Sequence, residues 1–133
     1  MLKLIIMKTL DLIIEKAEDG LLWGRVNYNG NVIIETANNI SDLETKMLHL
    51  LVDFEGINPH EIKFTHLYDV YALFQKFDYL KISSVATYAG MNPGLLRQYA
   101  SGVKNPSADQ AKKIERTLHK LASDLQKVHI YTE

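Results

Sequence analysis

Two adjacent side chains, Arg97 and Gln98, carry the most specific chemistry in the chain. An arginine fork donates two hydrogen bonds to guanine, and a glutamine amide pairs in the same two-pronged way with adenine. Each can equally meet a phosphate. Asn92, Gly94 and Ser101 fall on the same outer face at helical spacing, so this segment suits a helix lying in a DNA groove. Lys104 and Asn105, just beyond it, are better placed for phosphate, as are the free amides of a helix start at Ser107. Lys112 and Lys113 read either as an extension of this surface or as a solvated helix face.

Other chemistries lack their residues. The five histidines, His49, His60, His66, His119 and His129, share no i, i+4 spacing, so paired metal ligands on one helix are not expected. Asp11, Glu15, Glu18 and Asp19 could in principle hold Mg²⁺. They read more simply as a polar strand face and an acidic turn. There is no cysteine, no glycine-rich phosphate loop and no nucleophile elbow, so neither an enzyme nor a bound cofactor is expected.

Arg97 and Gln98 need a scaffold, and residues 82–101 have the pattern of a helix-turn-helix. Two short helices that cross closely require a small residue at the crossing, which Ala86 supplies, and a left-handed turn residue, which Gly90 supplies. Ile82, Val85, Ala89, Met91, Leu96 and Tyr99 provide the buried faces. Asn92 caps the second helix, Pro93 occupies its first turn and Gly102 ends it. The bland alternative is a purely structural helical corner. A longer helix follows from Ser107, whose spacing to Gln110 is that of a capping box, with Ala108, Ala111, Ile114, Leu118, Leu121, Leu125 and Val128 as its apolar stripe.

The front of the chain reads differently. Three strands, 9–15, 21–28 and 32–35, form a meander with an Asn29-Gly30 hairpin turn. A helix then begins at Ser41, with Glu44 completing a capping box, and presents Leu43, Met47, Leu50, Leu51 and Phe54 before Gly56 and Pro59 stop it. A fourth strand at 62–67 completes a β-β-β-α-β layer, one helix on a short antiparallel sheet. Val70, Leu73, Phe74 and Phe77 then open the helical part. The expectation is an α+β chain with domains at 1–68 and 69–133.

Charge follows that division. Residues 1–78 hold seven Lys/Arg against twelve Asp/Glu, a balance of −5, whereas residues 79–133 hold eight against four, a balance of +4. A basic back half suits a polyanion. The apolar start at 1–7 is interrupted by Lys8, Asp11 and Glu15 and lacks a cleavage site, so a signal peptide is not expected. No membrane span is expected either, and a cytoplasmic location fits the missing cysteines.

The stretch Leu96-Arg97-Gln98-Tyr99-Ala100-Ser101-Gly102, then Pro106, Gln110-Ala111-Lys112-Lys113-Ile114-Glu115 and Leu118-His119-Lys120-Leu121, resembles the C-terminal domain of HicB-type antitoxins. The order of the halves agrees with that family, whose N-terminal β-β-β-α-β domain is a reduced relative of the ribonuclease H fold. At the helix start this chain has Asn38-Asn39-Ile40-Ser41-Asp42-Leu43-Glu44, without the family's Gly and Ala. The resemblance implies an antitoxin of a toxin–antitoxin system. Its front domain would mask a small HicA-like ribonuclease toxin, and its back domain would repress transcription as a homo-dimer or higher homo-oligomer on operator DNA. The alternative is a plain helix-turn-helix regulator whose front domain dimerises or senses a ligand.

Overall fold

The computed structural model describes residues 7–133 of the chain. The apolar start read above against a signal peptide therefore lies, up to residue 6, outside the described residues. The protein is α+β, with a four-stranded mixed sheet and five α-helices among the described residues.

Strands β1 (Lys8–Lys16), β2 (Leu22–Tyr28) and β3 (Asn31–Ala37) make the expected antiparallel meander. Asn29 and Gly30 both take positive φ, 49° and 77°, which is what a two-residue hairpin matched to strand twist demands. Helix α1 (Ile40–Glu55) follows, then a 3₁₀ turn (Pro59–Glu61) and β4 (Ile62–Tyr68). The sheet order is β3-β2-β1-β4, and β4 runs parallel to β1, pairing Leu10 with Phe64 and Leu12 with His66. The sheet is thus mixed and not antiparallel. The reason is the helix itself: a crossover through α1 carries the chain back to the starting edge, the connection a parallel pair requires.

Helix α1 starts two residues earlier than the Ser41–Glu44 spacing suggests. Its cap is Asn39, whose Oδ1 accepts the Asp42 N–H at 2.8 Å while its own Nδ2 donates to Asp42 Oδ2 at 3.0 Å. The Asp42 carboxylate takes the side-chain amide of the cap, where a capping box would take its backbone N–H. Gly56 ends the helix in the left-handed region, φ 65°. Leu43, Met47 and Leu51, spaced by four, are fully buried against Leu12, Ile14 and Val26 of the sheet. Phe54 is not on that face: it is 78% exposed. At Gly24 an added Cβ would come within 3.0 Å of three Leu43 side-chain atoms, so the missing side chain on β2 is what lets α1 settle on the sheet.

Helix α2 (Val70–Lys76) belongs to this layer. Asp69 fastens it: Oδ1 accepts the Ala72 N–H at 2.7 Å and Oδ2 accepts the Lys16 N–H at 2.8 Å. Ala72 joins the sheet core, and the buried face is Val70, Ala72 and Phe74, with Leu73 and Phe77 only half-buried. The first compact unit accordingly ends at Lys76 and the second begins at Phe77, so the division falls eight residues beyond the expected 68/69 boundary.

The second unit contains α3 (Ile82–Ala89), α4 (Pro93–Ala100) and α5 (Ala108–Gln126). Its buried residues are Val85, Ala86, Met91, Leu96, Tyr99, Ala100 and Ile114. Ile82 and Ala89 are half-buried. Of the apolar stripe expected on α5 only Ile114 is buried; Leu118 and Leu121 are half-buried, Ala108, Ala111 and Leu125 are exposed, and Val128 lies beyond the helix, which ends at Gln126 with Lys127 as its C-cap. Among the described residues no helix is long and apolar enough to cross a membrane.

Candidate nucleic-acid interface

The joint between α3 and α4 is held by backbone chemistry. Gly90 adopts φ 67°, and the next amide, Met91 N–H, turns back to the Ala86 carbonyl at 2.9 Å. Ala86 is fully buried, and its small side chain leaves room for the chain that returns over it. Asn92 then caps α4. Its Oδ1 accepts the Gly94 N–H at 2.8 Å and the Leu95 N–H at 3.4 Å. This satisfies two donors that the helix leaves free. A Cβ on Gly94 would sit 3.1 Å from that same oxygen, so glycine keeps the cap tight.

The far end of α4 is equally well tied. The Gln98 carbonyl accepts the Ser101 hydroxyl at 3.1 Å and the amides of Val103 and Lys104 at 3.1 and 3.2 Å. Gly102 takes φ 78° to allow the reversal. The loop carrying Lys104 and Asn105 is thereby folded back onto the end of α4. Ser107 caps α5 by accepting the Gln110 N–H at 3.2 Å. Only half of the capping box forms, because Gln110 Oε1 is buried without a hydrogen-bond partner and does not answer the Ser107 backbone.

The eight residues singled out in the sequence all lie on exposed positions of this α4–loop–α5 stretch. They divide by what their side chains already do. Asn92, Ser101 and Ser107 have polar atoms engaged in caps or turns, and Gly94 contributes only its backbone. Arg97, Gln98, Lys104 and Asn105 are exposed and make no side-chain hydrogen bond or ion pair with other described residues. On α4 the buried Leu96 and Tyr99 flank Arg97 and Gln98 in sequence, so the fold fixes the helix from behind and leaves two recognition-capable groups in front.

Lys113, one of the two ambiguous lysines, has a definite place. With Arg116, Lys120, Asp124 and Tyr88 it lines a cavity of about 380 Å³ between α3 and α5. Arg116, Lys120 and Tyr88 did not emerge as candidates from the sequence, although Lys113, Arg116 and Lys120 recur at helical steps of three and four.

In the sheet unit, His66 on β4 is hydrogen-bonded through Nε2 to Glu44 of α1 and stacks on Tyr68, ring centroids 5.9 Å apart. Burial, and then the negative charge of Glu44, push the Tyr68 hydroxyl above its ordinary value of 10.0. Glu15 of the acidic strand face is paired with Arg25 at 2.9 Å. Among the described residues no three His, Asp or Glu side chains gather as metal ligands would. No protein-family model, no curated protein and no solved structure matches this chain.

Proposed function

We propose that this chain binds double-stranded DNA, with α3 and α4 acting as a helix-turn-helix and α4 lying in the major groove. The observation that carries the reading is the division of labour on α4. Its caps and buried face are committed, while Arg97 and Gln98 stand exposed with no side-chain partner among the described residues. Lys104, held beside the end of α4 by the Gln98 carbonyl, and Asn105 next to it supply phosphate contacts, as do the amides of the α5 start that the Ser107 cap leaves free. Asn92, Gly94 and Ser101 shape the approach of the helix to the groove. The basic balance of the back half agrees.

The finer reading is an antitoxin and transcriptional autorepressor of the HicB type. It works as a homo-dimer or higher homo-oligomer on its own operator, and its sheet unit masks a HicA-like ribonuclease toxin. Two features of the sheet unit support a protein partner there. The sheet face away from α1 exposes Trp23, Val32, Ile34 and Leu67, and the front half is acidic, the sign that suits a basic RNA-binding protein.

The test is fluorescence anisotropy on the DNA upstream of the coding sequence. Arg97→Ala and Gln98→Ala should each weaken binding by about 1–3 kcal/mol at the base they read. Lys104→Ala should weaken all sequences evenly and lower the salt slope by about one. Unchanged affinity and unchanged slope in all three would sink the DNA reading. Purification from the native host tests the toxin: absence of a small basic protein in the complex would favour a plain regulator.

A further inference from the structure

The cavity between α3 and α5 holds charge that the fold itself does not use. Lys113, Arg116 and Lys120 line it from one side of α5, at steps of three and four residues. All three are exposed, and none has an ion-pair partner among the described residues. Like charges at this spacing repel and weaken the helix that carries them. An anion seated among them turns that repulsion into attraction. Tyr88 of α3 lines the same cavity, 69% exposed and with no other ring against it among the described residues.

Two carboxylates decide which anion fits. Asp109 and Asp124 also line the cavity, four residues before Lys113 and four after Lys120, so the cations occupy the middle of the wall and the acids its ends. From Lys113 to Lys120 is about 10 Å of helix axis, and from Asp109 to Asp124 about 22 Å. A DNA strand laid along this wall carries a phosphate every ~3.4 Å and would oppose both acids. A compact anion at the centre opposes neither. Arg116 presents a fork to two oxygens and the lysines add point charges, a set that suits the three free oxygens of a phosphate monoester. The cavity, about 380 Å³, has room for more than the phosphate and is of the size that small ligands occupy. Tyr88 and the half-buried Leu121 give the rest of the ligand an aromatic and apolar surface. The carboxylates accept from hydroxyl or amino groups on that body.

We infer that the α3–α5 cavity binds a small phosphate monoester with a planar body, of the nucleoside monophosphate class. Lys113, Arg116 and Lys120 hold the phosphate, and Tyr88 carries the planar ring. The inference does not depend on DNA binding by α4.

Amide NMR titration of the full chain tests it, with adenosine monophosphate, adenosine and inorganic phosphate as probes. Adenosine monophosphate should bind with a dissociation constant below about 1 mM. Its shift changes should centre on Tyr88 and residues 113–121. Inorganic phosphate should bind the same cations more weakly, and adenosine, which lacks the anion, should not bind. Arg116→Gln combined with Lys120→Gln should weaken adenosine monophosphate at least about tenfold. Tyr88→Ala should weaken it too while leaving inorganic phosphate unchanged. All three side chains are exposed, so the circular dichroism of these variants should stay that of wild type. Arg97→Ala should leave the nucleotide's binding as it is, so this inference and the DNA reading can fail separately. No shift change with either adenosine monophosphate or phosphate would overturn the site. Adenosine binding as tightly as its monophosphate would overturn the role of the three cations. If the wild type binds no nucleotide while the Arg116–Lys120 variant lowers the salt slope for DNA, the small ligand is overturned and the wall belongs to the DNA surface.

Discussion

In the sheet unit, polar side chains that reach across the fold end on a partner. Asp69 holds the Lys16 and Ala72 amides, Arg25 meets Glu15, Lys46 donates to the Thr36 carbonyl at 2.9 Å, and His66 meets Glu44. In the helical unit, by contrast, polar groups that act within the fold are short and local: the Asn92 and Ser107 caps and the Ser101 hydroxyl. Its long cationic side chains, Arg97, Lys104, Lys113 and Lys120, have no anionic partner within the described chain. A sheet joins segments far apart in sequence, and side chains that bridge them help to hold the registry. A small helical unit is held by local turns and a few buried apolar groups. Its long cationic side chains are therefore left exposed to solvent.

The helical unit's dependence on few apolar groups gives the largest expected effect. Leu96 is fully buried, one of only seven buried apolar residues in this unit, and Leu96→Ala should cost about 2–5 kcal/mol. The single tryptophan, Trp23, lies on β2 and reports on the sheet unit, whereas far-UV circular dichroism is dominated by helices. The ellipticity transition should move to lower temperature by more than the Trp23 fluorescence transition does. Equal displacement of both signals would break the contrast, showing that the two units unfold as one.

Gly24→Ala is the converse experiment in the sheet unit. The new methyl would meet the buried Leu43 side chain at under 3.0 Å from two of its carbons, and overpacking of this kind costs about 1–3 kcal/mol. Here the Trp23 transition should fall the more. Leu43→Ala in the same chain should recover part of the loss at that contact, because it removes the atoms that the methyl strikes. A double variant no more stable than the sum of the two single changes would remove this close approach as the reason for glycine.

What could be read in the sequence follows the same contrast between local and long-range order. The hairpin at Asn29-Gly30, the turn at Gly90, the Asn92 and Ser107 caps and the stop at Gly56 are each fixed by two to five neighbouring residues, and each falls where its local pattern places it. The direction of β4 has no local signature. Ile62-Lys63-Phe64-Thr65-His66-Leu67 alternates in the same way whichever direction its neighbour runs, and the crossover through α1 decides. Two competing caps, Asn39–Asp42 and Ser41–Glu44, lie two residues apart, and the reciprocal hydrogen bonds form on the first. Helix α2 looked like the start of the helical part because periodicity says nothing about the layer to which a face is applied; Asp69 and Ala72 apply it to the sheet. The exposed face of α4 was legible because the buried positions 96 and 99 fix which way 97 and 98 point. The His66–Glu44 contact joins residues 22 apart in sequence and had no signal at that distance.

That contact also leads to the smallest effect, at alkaline pH. The folded Tyr68 hydroxyl titrates above 10.0, raised first by burial and second by Glu44. Its neutral form is therefore favoured in the native state, and the native chain binds more protons than the unfolded one just above that value. The contribution is fully present below about pH 10 and declines as pH rises through the raised native value. Tyr68→Phe should flatten part of the alkaline fall in stability, measured by urea unfolding at successive pH values. Glu44→Gln should flatten it less, because burial, the larger cause, remains. If Glu44→Gln flattened it as much as Tyr68→Phe, the charge on α1 and not the burial of β4 would govern the titration. The contrast would then sharpen: the sheet unit's internal charges would tune its stability, while the same kind of charge in the helical unit stays open to solvent.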